Sequence, residues 1–186
     1  AADRAEAYFE LAAFRERMRR AAAECGVDVH AVEHFGFPEY AQTAPEEERR
    51  GLVSRERRRL EHLLATVWAA RPRELAAVAR SSGGEQVQLP AGASVRSPGL
   101  IDTSAFKVDL VGTTATLRDV MVALSASSGL VLVRAVEVER LQAPEEATDP
   151  ATSIRRSGAA AVESGHLRFG LVVEFADMIG EGQEES

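Results

Sequence analysis

FKVDLVGTTATLRDVMVALSASSGLVLVRAVEVERL, residues 106–141, decides the fold. Phe106, Val108 and Leu110 alternate with Lys107 and Asp109, and a backbone of period two puts the three apolar side chains on one face of a strand. Gly112-Thr113-Thr114 turns the chain and offers a threonine hydroxyl as a helix cap. Leu117, Val120, Met121 and Leu124 then recur at i, i+3, i+4 and i+7, which predicts a helix with a single apolar stripe. Gly129 can take the left-handed conformation that ends a helix, and Leu130 to Leu141 follows as a β-branched, apolar run. The unit reads as strand, crossover helix, strand.

In the second strand of that unit Val131, Val133 and Ala135 hold odd positions, whereas Val136 and Val138 hold even ones. A fixed pleat would send one set to water. The pattern calls for a bulge or bend near Arg134 and Ala135, the preferred reading, or for a first half buried on both faces. Further on, Leu167, Phe169, Leu171, Val173 and Phe175 alternate without a break and predict a last strand with one fully apolar face. Residues 142–165 carry Pro144 and Pro150 with no sustained periodicity and read as a long mobile loop, and residues 180–186 as an acidic tail.

Upstream, Asp3 to Glu24 is rich in Ala, Glu and Arg, with Tyr8, Leu11, Phe14, Met18, Ala22 and Cys25 at three- and four-residue steps, a helix of about six turns. Its stripe serves either the core or the end of a coiled coil entering from upstream. Val27 to Val32 alternates as a strand, and Phe35-Gly36-Phe37-Pro38 breaks it. Ala44-Pro45-Glu46-Glu47-Glu48 starts a second helix reaching about Ala70, with proline set for the first turn and carboxylates at the positive end of the dipole. Its Arg55, Arg57, Arg58 and Arg59 read as a solvated basic face. Glu74 to Arg80 reads as a strand and residues 81–100 as a linker. The sum is α+β: two packed ferredoxin-like helix-strand modules, residues 1–100 and residues 101–186, with helices on one face of a mainly antiparallel sheet.

Composition bounds the function. The 186 residues are 45% hydrophobic and 27% charged, enough to bury a core, and the net charge of -7 without a dense basic tract argues against nucleic acid. Cys25 is the only cysteine, which excludes an intrachain disulfide and a cysteine-rich zinc site. No apolar run is long enough to span a bilayer. The chain starts without Met, already inside a helical pattern, so it reads as a piece cut from a longer protein, and whatever precedes Ala1, a membrane anchor included, is invisible in it.

No catalytic constellation emerges. His30 and His34 are four apart, but in a strand-to-loop context with no third ligand signalled, so no metal is expected; His62 and His166 have ordinary surface readings. Cys25 closes a helix at the end where the dipole disfavours a thiolate. Walker, Gly-x-Ser-x-Gly and Gly-x-Gly-x-x-Gly motifs are absent. The expectation is a protein that is not an enzyme and takes no cofactor. Its candidate interaction face is Tyr8, Leu11, Phe14 and Met18, used for self-association or for a sibling protein, along with a free strand edge. The competing reading is a ferredoxin-like domain that senses a small molecule.

Several phrases together carry a family resemblance: Phe14-Arg15-Glu16-Arg17-Met18 leading to Cys25-Gly26-Val27, the Phe35-Gly36-Phe37 to Gln42-Thr43-Ala44-Pro45 loop, the strand-helix-strand of residues 106–141, and the last strand. In order and pattern they resemble the extracytoplasmic part of the PilO-like family of type IV pilus assembly, and more closely the Amuc-type pilus-associated proteins of a mucin-degrading verrucomicrobium. The resemblance implies ferredoxin-like modules, no catalytic residue, a periplasmic or cell-envelope location behind an N-terminal transmembrane helix and coiled coil, and dimers with itself or sibling pilus assembly proteins.

Overall fold

A computed structural model describes residues 2–82, 87, 94–127, 129–141 and 166–179. Helix α1 (Ala2–Glu24) leads into β1 (Asp28–Val29) and a single 3₁₀ turn (Pro38–Tyr40); helix α2 (Glu47–Ala69) then leads into β2 (Glu74–Arg80). The second half is β3 (Ile101–Gly112), α3 (Thr114–Ser125), β4 (Leu130–Arg140) and β5 (Leu167–Met178). The expected loop 142–165 and tail 180–186 lie outside the described residues.

One five-stranded sheet joins both halves in the order β1-β2-β3-β5-β4. Only β1 and β2 run parallel, with α2 as their crossover; the β2–β3, β3–β5 and β5–β4 pairs are antiparallel. Since β5 lies between them, β3 and β4 run in the same direction and α3 crosses from one to the other. Phe106 faces Val173, Val108 faces Leu171 and Leu110 faces Phe169, so the alternating apolar sets of β3 and β5 fall on one face. All three helices cover that face: Phe14 and Met18 of α1, Leu60 and Leu64 of α2, and Val120 and Leu124 of α3 share one buried cluster with these strands. The fold is thus α+β, with helices on one side of a mostly antiparallel sheet.

Local chemistry explains the elements. Thr113 accepts a hydrogen bond from the Thr116 N–H, and the Thr116 hydroxyl takes the Thr113 N–H in return, a reciprocal cap that starts α3. The register shift expected in β4 sits between Val133 and Ala135, so Val136 and Val138 return to the helix side of the sheet, opposite Leu171 and Phe169. A second shift, between Leu75 and Ala77, lets Leu75 and Val78 both face the core although they are three apart.

The first strand is far shorter than its alternation suggested. Pairing stops after Val29, because the chain turns there, the Glu33 N–H donating to the His30 carbonyl at 2.9 Å, and it turns again at Phe35 (φ 50) and Gly36 (φ 77). Both residues sit in the left-handed region, where glycine is at ease and phenylalanine is held by its surroundings.

Candidate interaction surface

The proposed stripe on α1 turns inward. Leu11, Phe14 and Met18 are buried, and Tyr8 is half-buried. Phe14 meets Phe35 and Phe37 edge-on at centroid distances of 6.2 and 5.9 Å. Three of the four side chains therefore serve the chain's own core, because the loop after β1 delivers two aromatic rings to the helix. The aromatic left outward on α1 is Phe9, at 66% exposure.

The two edges of the sheet are finished differently. At the β2 side, beyond the two residues paired with β1, the Glu33 carboxylate accepts the Phe35 N–H at 2.6 Å and takes the backbone N–H groups of Val78 and Gly36. Burial pushes its pKa up against those donors. Arg19 holds the same loop by donating to the Glu33 carbonyl at 2.6 Å. Beneath it Arg80 donates to the Gly36 carbonyl and pairs with Glu56, Ser82 and Glu39, its guanidinium 4.5 Å from the Phe37 ring centroid. This edge is closed by cover and by charge.

At the other side β4 offers its outer edge, and no described strand pairs with it. Its eleven residues include Val136 and Val138, exposed on the helix side of the sheet beyond the reach of α3, while Glu137 and Glu139 lie on the opposite face. Glu137 is tied inward to Lys107 at 3.2 Å. Gly170 lies between them on β5, where a Cβ would come within 2.8 Å of an Asp109 oxygen and 3.2 Å of the Lys107 stem.

The basic run on α2 is less solvated than its composition suggested. Arg59 is buried and bonded to Ser104 and Asp177, Arg57 pairs with Glu10 and Glu61, and Arg55 reaches Asp102 at 3.5 Å. These cations sew α2 to α1 and to the ends of β3 and β5. Apart from Glu61, their acidic partners stand far away in the chain and left no local signal.

Chemistry of other kinds has little to work with. Among the described residues no group of three His, Cys, Asp or Glu side chains is placed to hold a metal, and no helix is long and apolar enough to cross a membrane. A cleft between the first turns of α1 and α2, floored by Leu11, Pro45 and Val53, measures about 200 Å³, below the roughly 300 Å³ of a small-ligand site. A second hollow, beside Tyr40, sets Arg4 and Arg49 against Glu39 and Glu46, so its charges cancel.

These elements define an α+β module with helices on one face of its sheet, one covered edge and, among the described strands, one unpaired edge along β4. The chain belongs to the pilus-like family, whose sequence model matches residues 8–178. Its fold is similar to that of a core domain from Akkermansia muciniphila, at 14% identity over 93% of this chain and 86% of that one, with a TM-score of 0.65. A protein from the same organism, solved without its transmembrane region, aligns over 98% of this chain and 88% of that one at 12% identity and a TM-score of 0.67. The type 4 fimbrial biogenesis protein PilO from Pseudomonas aeruginosa also aligns, over 73% of this chain and 90% of that one, at 12% identity and a TM-score of 0.39. Among curated proteins none matches by sequence.

Proposed function

We propose that this pilus-like protein is a non-enzymatic assembly or scaffold subunit of a type IV pilus or a related secretion machine, acting in the cell envelope through protein contacts. The observation that carries the reading is the contrast between the two sheet edges: one closed by Glu33 and its loop, the other long, partly apolar and, among the described residues, unpaired along β4. An edge strand with unpaired N–H and C=O groups is a template for another strand. In this reading residues 1–100 and 101–186 act as two modules sharing one sheet. A membrane anchor precedes Ala1, by analogy with the Akkermansia muciniphila protein that was solved without its transmembrane region. The partner at the β4 edge is a second copy or a sibling pilus protein.

Sedimentation velocity over a concentration series tests this, with pull-down of known pilus or secretion components from membranes. Association in the micromolar range is expected of a small interface and is lost in Val138→Lys. A chain that stays monomeric and captures no such component refutes the proposal.

A further inference from the structure

The register shift of β4 lies at the middle of the strand, with residues 130–133 before it and residues 136–139 after it. Val133 faces Val173 and Val136 faces Leu171, two apart on β5, so both valines point to the helix side and present their backbone groups in the same sense. The match continues outward from there: Val131 with Val138 on the helix side, Leu132 with Glu137 and Leu130 with Glu139 on the outer side. At the centre Arg134 and Ala135 both turn to the outer side, Arg134 donating to the Glu174 carboxylate at 2.7 Å and Ala135 standing opposite Val172. A regular strand reversed about a point between two residues exchanges its faces. The extra residue in β4 cancels that exchange, and the strand keeps its faces when reversed.

A two-fold axis through that midpoint, perpendicular to the sheet, lays a second β4 antiparallel along the first, with every residue from 130 to 139 on the same face as the residue opposite it. Val136 and Val138, exposed at 42% and 53%, then lie against Val133 and Val131 of the second copy, the two valines that each copy packs on its own core. Glu137 and Glu139 face Leu132 and Leu130, so no carboxylate stands directly opposite another. A register displaced by two sets helix-side residues of one strand against outer-side residues of the other at the centre. A regular strand from another protein must set one residue against two at the shift, as β5 does, whereas a second copy sets two against two. Resting on the reading of β4 as a contact edge, we propose that the occupant of that edge is a second copy of this chain, paired antiparallel with Leu132 of each copy opposite Glu137 of the other. The two five-stranded sheets then join into one, with the helices of both copies on the same side.

Cysteine pairs read the register in the full chain carrying Cys25→Ser. Leu132→Cys and Glu137→Cys chains are mixed and oxidised, and the mixture forms an interchain disulfide. Either chain alone stays unlinked, because its cysteine lies about 16 Å along the strands from its own copy across the axis. The mixture of Leu132→Cys with Glu139→Cys, which reports a register displaced by two, stays largely unlinked. Sedimentation velocity adds a charge test: Leu130→Lys, at a position 55% exposed, sets a cation opposite Glu139 of the other copy and tightens self-association about threefold at low salt. Leu130→Lys/Glu139→Lys reverses that gain. Far-UV circular dichroism confirms the fold of each variant; should a cysteine variant unfold, the lysine variants carry the test. A dimer that links through positions 132 and 139, or that Leu130→Lys loosens, overturns the proposal and leaves β4 a contact edge. A monomer that captures a pilus or secretion component, and loses it in Val138→Lys, does the same. A monomer that captures nothing overturns the reading of the edge along with the proposal.

Discussion

Arg80 and Glu56, 24 positions apart, meet with Nη1 2.6 Å from Oε2, and their side chains are 1% and 2% exposed. Burial lowers the Arg80 pKa to about 10 and raises that of Glu56. A buried pair of this kind is costly to break on one side only. Arg80→Met leaves the carboxylate without its cation and is expected to cost about 3–5 kcal/mol, whereas Arg80→Met/Glu56→Leu recovers most of that loss. Urea denaturation of the two single variants and the double variant measures the coupling; additive losses would mean that the pair does not act as a unit.

Phe14 and Val138 separate folding from association. Phe14→Glu puts a charge among Phe35, Phe37 and the α2 side chains, so it lowers the melting temperature and depletes soluble protein instead of yielding a stable monomer. Val138→Lys is placed at an exposed edge position, leaves the melting temperature within about 2 °C and weakens association. A stable, monomeric Phe14→Glu chain would return the interface to α1.

What the sequence made legible was whatever depends on local period. The strand-helix-strand of residues 106–141 and the last strand follow from spacings of two and 3.6, and a change of parity was enough to place the shift at Ala135. Long-range matters were hidden. Leu75 and Val78 have helical spacing inside a strand because the shift near Ala77 uses up one residue. Glu56 lies in a run of glutamate and arginine that reads as solvated, and its burial depends on Arg80 arriving from another strand. The inward turn of Leu11, Phe14 and Met18 depended on where the loop after β1 would set its aromatics, which a stripe on one helix does not reveal.

Thr113 and Gly112 form a linked pair of tests at the start of α3. Thr113→Ala removes one arm of the reciprocal cap and is expected to cost about 1 kcal/mol. Gly112→Ala places a Cβ 3.0 Å from the Cβ and Cγ2 of Thr116, tight enough to push the other arm out of place. The second substitution should therefore cost less in the Thr113→Ala background than alone, as chemical denaturation of the double variant would show.

Glu174 sets the acid limb of stability. Burial alone would raise its pKa, but hydrogen bonds from Ser94 and Arg134, with the Arg134 charge, hold it below its ordinary value of 4.5. A carboxyl group lowered on folding contributes stability that is present above its unfolded pKa and lost as pH falls through the folded one. Glu56 has the opposite sign: its raised pKa gives stability that is present below 4.5 and lost as pH rises through the folded value. Glu174→Gln should therefore flatten the decline of stability below pH 4.5, and Glu56→Gln should steepen it. Unfolding free energies measured from pH 7 to pH 3 decide the matter, and a parallel acid decline in wild type and both variants would sink the assignment.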